Sequence, residues 1–317
     1  RIVDIGAPAS PVLVSTCDTP GFARNVAVSG DQAYVADYGS GIQIIDVSDP
    51  SNPSLSATLD TPDYAMEIVV AGCRAFVADN NSGLQVLAVR DPFSPSLVCD
   101  VAPPDACDDI VVSGQYAYVC NQEYGLRVYD VTDLSSDVPE LLGTCDTENA
   151  YSVAISGKHA FVADATGGLK VIDITVPTNP HVIGSLPTAS SIWGVAVTGN
   201  YAWLAAGSGG LFVVDISDPE EPSLITSLDF TDDAYDVAVA GDYAYLVGSF
   251  GLKVVNVGNP AAPVLAGSYS LLIFSLDICL RGRSGTALLR DAAGLAGVRF
   301  ALLTRGVLER LGRQRTD

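Results

Sequence analysis

The chain repeats itself at an interval of about 42 residues, and this period limits its possible folds more than any other property. The clearest unit is Gly41-Ile42-Gln43-Ile44-Ile45-Asp46-Val47-Ser48-Asp49-Pro50, closed shortly afterwards by Pro53. It returns from Gly83, Gly125, Gly168, Gly210 and Gly251. A glycine ending an apolar run recurs at Gly30, Gly72, Gly114, Gly157, Gly199, Gly241 and Gly282, in steps of 42, 42, 43, 42, 42 and 41. A proline keeps nearly the same beat at Pro11, Pro53, Pro95, Pro139, Pro180, Pro222 and Pro263. Repeats of this length suit four-stranded propeller blades.

Each unit divides into four strands. The first resembles Asn25-Val26-Ala27-Val28, and the second, after a short turn, Ala33-Tyr34-Val35-Ala36. The third is the opening motif, and the fourth runs on from the marker proline, as in Pro53 to Leu59. Val, Ile, Tyr and Phe suit a pleated surface, while Gly and Asp-Pro clusters between the runs demand turns. Helical periodicity and capping boxes are missing before residue 280, which excludes a helical solenoid. A closed ring also removes the exposed sheet edges of an open array.

The expected fold is therefore all-β: a seven-bladed β-propeller of four-stranded antiparallel blades, closed by strands from both chain ends. Ile2-Val3-Asp4-Ile5 aligns with Ile44-Ile45-Asp46-Val47, so the chain starts with a third and a fourth strand. Phe274 to Leu280 and Ala287 to Leu289 would supply the missing first and second. Gly294 to Phe300 reads as a surplus third-strand copy. Residues 1–280 hold 8 Lys+Arg against 34 Asp+Glu, whereas residues 281–317 hold 8 against 3. One propeller domain is expected over residues 1–301, with 302–317 a weakly ordered tail or short helix. Arg1 opens in mid-pattern without a basic or apolar leader behind it, as in a processed chain or a fragment.

A net charge of −21 would repel phosphate backbones and anionic lipid, which argues against nucleic-acid and membrane-surface partners. No apolar run is long enough for a transmembrane segment. The seven cysteines show no metal-ligand spacing and several stand at small or apolar strand positions, as buried thiols rather than disulfides or zinc ligands.

The recurring Gly-Leu-x-Val-Ile-Asp-Val/Ile-Ser-Asp-Pro-x-x-Pro, followed by apolar-Val-Ala-Val-x-Gly and Ala-Tyr-Val-Ala-Asp, resembles the LVIVD repeat family of bacterial and archaeal proteins. The match runs over roughly residues 1–270 and blurs in the last copy, where Gly282 to Thr286 interrupts the second strand. The resemblance implies a β-propeller, extracellular or on the cell surface, with no general enzymatic activity and no catalytic residues to carry over. More distantly the pattern is similar to YVTN-type surface propellers.

Ligand sites in such rings are expected at the channel mouth, where loops enter the innermost strands. The position five residues before each marker glycine reads Asn25, Glu67, Asp109, Ser152, Gly194, Asp236 and Asp277. That oxygen-rich ring would suit a hard cation such as Ca²⁺, and its other reading is a set of solvated strand ends. The neighbouring position reads Arg24, Met66, Asp108, Tyr151, Trp193, Tyr235 and Leu276. Arg24, Asp108, Tyr151, Trp193 and Tyr235 are candidate contacts for a protein or glycan partner, with packing between blades as the alternative. Asp37, Asp79, Asn121 and Asp164 fall at the turns between second and third strands and read as structural.

Two functions stay open. The first is a non-enzymatic binding or scaffold module. The second is a Ca²⁺-dependent hydrolase or lactonase-like enzyme using the acidic ring of Asp108, Asp109, Asp236 and Asp277. His159 and His181 stand away from the mouth and no phosphate loop, HExxH or GxSxG motif occurs, so a nucleophile triad is not expected.

Overall fold

A computed structural model describes the backbone of residues 1–101, 106–132, 138–270, 278–281, 286–291 and 298–301, with side chains in the first three stretches. Every regular element among them is a β-strand. Three short strands lead: β1 (Ile2–Asp4), β2 (Val12–Ser15) and β3 (Asp18–Thr19). Then β4 (Asn25–Ser29), β5 (Gln32–Ala36), β6 (Ile42–Asp46) and β7 (Ser54–Leu59) pair antiparallel in chain order. Five further sheets repeat this meander: β8–β11 from Glu67 to Val101, β12–β15 from Asp109 to Cys145, β16–β19 from Ser152 to Leu186, β20–β23 from Gly194 to Leu228, and β24–β27 from Ala234 to Tyr269. These six sheets stand as propeller blades 1 to 6, with the first strand of each beside the first strand of the next.

The repeated residues have local causes. Gly41 takes φ +64°, and a Cβ there would collide with the Leu59 carbonyl of the outer strand, so the third strand must open on glycine. Asp46, the last residue of the third strand, closes the next turn by accepting the Ser48 N–H at 2.8 Å. Asp130, Asp173 and Asp215 repeat that bond, and Asn256 does so in blade 6. The aspartate of the motif is thus a turn cap.

Burial follows strand order. The second and third strands are buried on both faces and read as nearly unbroken apolar runs, whereas the fourth strand of blade 1 holds only exposed and half-buried residues. A one-residue register shift separates third and fourth strands in every blade, which bends the exposed outer edge. The core is shared between blades: Ile42 and Ile44 of blade 1 pack with Ile68, Val77 and Leu87 of blade 2. The same arrangement joins blades 2 to 3, 3 to 4, 4 to 5 and 5 to 6.

The chain start behaves as the alignment of Ile2-Val3-Asp4-Ile5 implies. β1 pairs with β2 through the same register shift as every third and fourth strand, and on its other side with β29 (Thr286–Asp291). Strand alternation sends Val3 onto Tyr245 and Val254 of blade 6, and Ile2 onto Val26 and Val35 of blade 1. The expectation of seven equal blades needs correction, because the seventh sheet has six strands rather than four. β28 (Ile278–Arg281) pairs with β29, while β30 (Val298–Ala301) lies along the far end of β29 and reaches β3. The surplus third-strand copy explains the difference. Residues 2–4 hold the third-strand place, and the extra copy extends the sheet past the end of β1. The tail expected over 302–317 lies outside the described residues.

Candidate functional site: the channel mouth

The loops entering each first strand and the turns between second and third strands share one face of the blade array. Three recurring devices hold that face together. In blades 1 to 5 the backbone N–H of the residue preceding the first strand extends the ladder: Arg24 donates to Ala36 O at 2.5 Å, Tyr151 to Ala163 O and Trp193 to Ala205 O both at 2.9 Å. A left-handed turn residue then bridges to the loop of the next blade, as Tyr38 does to Ala65, Asn80 to Cys107 and Gln122 to Ala150. Gly207 serves there in blade 5 without the cost of about 1 kcal/mol that a side chain pays in this region.

The third device is a buried clasp. Asp37 is fully buried and accepts the Thr19 hydroxyl at 2.7 Å and the Gly21 N–H at 2.8 Å, fastening the incoming loop to the turn of its own blade. Burial pushes its carboxyl up to about 6, against the pull of those two bonds. Asp79 accepts the Asp63 N–H at 3.0 Å, and Asp164 the Asn149 N–H at 2.7 Å with Lys170 Nζ at 3.8 Å. Asn121 replaces the carboxylate in blade 3 and donates to Ala106 O at 3.3 Å.

The oxygen-rich ring is spent largely along the rim. Asn25 donates to Glu67 of the next blade and accepts the Ile68 N–H at 3.2 Å. Asp109 accepts the Val153 N–H at 2.7 Å, with a second bond from the Ser152 hydroxyl. Burial drives Asp109 up to about 6, and the facing charge of Asp236 adds to the rise. A Cβ on Gly194 would lie 2.8 Å from Asp236 Oδ1, so the missing side chain in blade 5 admits the carboxylate of blade 6. No three His, Cys, Asp or Glu side chains gather to hold a metal ion among the described residues. Asp277 lies outside those residues.

The neighbouring set forms the outer lip. Arg24 and Asp108, from blades 1 and 3, feel each other's charge: burial lowers the Arg24 pKa while Asp108 resists the change. Burial raises Asp108 to about 6, opposed by a bond from Gln122 and by Arg24. Tyr151 and Trp193, from blades 4 and 5, meet edge-to-face with centroids 4.8 Å apart, and the Asp108 charge reaches Tyr151. Four of the five candidate contacts therefore share one neighbourhood. Tyr235 stands one blade further on, its carbonyl abutting the Gly194 backbone that follows Trp193, and its phenol is raised by burial and Asp233.

Outside this lip, His159 starts a second strand and the exposed His181 an outer one. Cys107, Cys120 and Cys145 are buried free thiols, whereas Cys73 is exposed. Sequence reasoning missed two features of the mouth face: the complete burial of Asp37, Asp79, Asn121 and Asp164, and a cluster in which the exposed Phe22 and Tyr64 flank the half-buried Tyr38. The signal for the second was available, since those aromatics stand where other repeats carry small or polar residues.

The family model described as the LVIVD repeat matches residues 1–19, 20–61, 62–102, 105–147, 149–188, 190–229 and 232–270. From residue 20 onward its boundaries cut the chain into incoming loop plus four strands, the same phase as the six blades. Among solved structures, the computationally designed Ika8 protein is similar at TM-score 0.65 and 14% identity, over 88% of this chain and 86% of that one. That likeness concerns fold alone. Curated proteins include no match.

Proposed function

This chain belongs to the LVIVD repeat family, and from that premise we propose a non-enzymatic binding module, displayed outside the cell, that takes protein or glycan partners at its channel mouth. The observation that carries the reading is the half-buried Tyr151–Trp193 corner beside the Asp108–Arg24 pair. Aromatic faces give contact area at low entropic cost, and the two charges fix orientation. Among the described residues no helix is long and apolar enough to cross a membrane.

Trp193 makes the test direct. The second tryptophan, Trp203, is buried with its indole N–H donating to Thr198 Oγ1 at 2.7 Å, so ligand-induced emission changes report Trp193. Titration with array-selected oligosaccharides or peptides is expected to shift that emission. Trp193→Ala should weaken binding at least ~10-fold at an unchanged thermal midpoint. Binding that survives Trp193→Ala and Asp108→Ala together would move the site elsewhere. Protease shaving of intact cells tests display outside the cell.

The same proposal includes a closed ring of seven blades over residues 1–301, with the sheet of both chain ends as the seventh. Its support is the seating of Ile2 and Val3 between blades 1 and 6, and the packing of the β28 backbone between β24 (Ala234–Ala240) and β4. Removing Ile2 to Ser15 should abolish a single cooperative unfolding transition. A truncated chain melting at the full-length midpoint would refute closure.

A further inference from the structure

The repeat provides an internal control for the mouth face of blades 1 and 2. Phe22 and Tyr64 hold one equivalent position, just before the buried Ala23 and Ala65. Later blades place Ala106, Asn149, Ser191 and Asp233 there. Tyr38 sits at the left-handed turn position filled elsewhere by Asn80, Gln122, Ala165 and Gly207. Small or polar residues satisfy the fold at all these places, so the backbone does not ask for aromatic rings.

Three rings nevertheless converge. Tyr38 and Tyr64 stack with centroids 3.9 Å apart and planes 4° from parallel, and Phe22 meets Tyr38 edge-on at 6.3 Å. The Arg24 guanidinium lies 5.8 Å over Tyr38. Core packing does not account for the outer two, since Phe22 is 46% exposed and Tyr64 41% exposed.

We propose that this plate is the docking surface for a basic segment of a partner protein. Aromatic and arginine side chains grouped at the centre of a patch carry most of the energy in protein interfaces. The loops bearing the rings are acidic: Asp18 and Asp60 are exposed and Asp63 is half-buried. Between Asp18 and Glu67 the sole Lys or Arg is Arg24, whose charge is already countered by Asp108 and Glu67. A partner segment sets an apolar side chain on the plate while its lysines and arginines meet the surrounding carboxylates. A neutral glycan would use the rings but leave the acidic border idle, and an anionic lipid would be repelled.

The test measures binding of the full chain to short synthetic peptides with a central Leu-Trp pair flanked by Lys and Arg. Controls are the same peptides with Glu flanks and a neutral oligosaccharide array. Basic peptides should bind, and more weakly as salt rises. The double change Phe22→Ser and Tyr64→Asn uses residue types that other blades already carry there, so the thermal midpoint should hold while binding falls at least ~10-fold. Tyr38→Asn gives a second reading with the residue of blade 2. Trp193→Ala should leave this binding unchanged, which separates it from the mouth site. The proposal is overturned if Glu-flanked peptides bind equally, if only oligosaccharides bind, if the aromatic variants bind as wild type, or if no basic peptide binds at millimolar concentration.

Discussion

Asp37 and Asp46 belong to one blade and to opposite ends of it. Asp46 caps an exposed turn, and its bonds from Ser48 hold the carboxyl below the ordinary range. Asp37 lies fully buried beneath the mouth face, where lost hydration outweighs its two bonds and lifts the carboxyl to about 6. Both residues recur with the repeat, yet the same chemical group does contrary things to stability. At the turn the charged form is the favoured one. At the mouth the charge is tolerated because the loop N–H and hydroxyl need an acceptor.

Removing the buried acceptor should have the largest effect. Asp37→Ala leaves the Gly21 N–H and the Thr19 hydroxyl without their partner in a buried place, an expected loss of about 2–3 kcal/mol in chemical denaturation. A loss under about 0.5 kcal/mol would mean that water takes over the role of the carboxylate.

The next test is pH. Because Asp37, Asp108 and Asp109 are raised to about 6, the folded state holds protons more tightly than the unfolded chain between about pH 4 and 6. Their contribution is greatest below that window and falls as pH climbs through it. Asp46, Asp130, Asp173 and Asp215 are lowered, so theirs is present above the ordinary carboxylate value and lost in stronger acid. The thermal midpoint should therefore rise on acidification from pH 7 and peak at about pH 5. Asp37→Asn, the residue type found at Asn121, should flatten part of that rise while staying close to wild type at pH 7.

Smallest are the turn substitutions. Asp46→Ala should cost about 0.5 kcal/mol or less, as an exposed cap does. Asp46→Asn should be nearly silent, because Asn256 already makes the same bond to the Gly258 N–H at 3.0 Å. An Asp46→Ala loss as large as that of Asp37→Ala would erase the distinction between the two ends.

The period and the phase of the blades were legible because glycine and proline mark turns that every unit must make. So was the third-strand character of residues 2–5, from its alignment to Ile44–Val47. Asp37 was legible as a turn residue and illegible as a buried one, since burial depends on the loop that folds over it from Thr19 and Gly21. Gln43 was missed for a related reason. It looks like a solvent-facing residue in an apolar strand, but it is fully buried, donating to Ser40 O at 2.7 Å and accepting from Thr58 at 2.9 Å. Pairing of Asn25 with Glu67 needs the curvature that brings successive first strands together.

Ile2 and Val3 point into two different seams, and this gives a three-residue strand a role out of proportion to its length. Shifting it by a single step would exchange its two faces, offering each flanking wedge the side chain meant for the other. In the closed ring proposed above, such a segment would work like a keystone with two unequal sides, harmed by removal and by misalignment alike. Mechanical or proteolytic opening of the assembly should therefore start at this joint before any of the six wedges gives way.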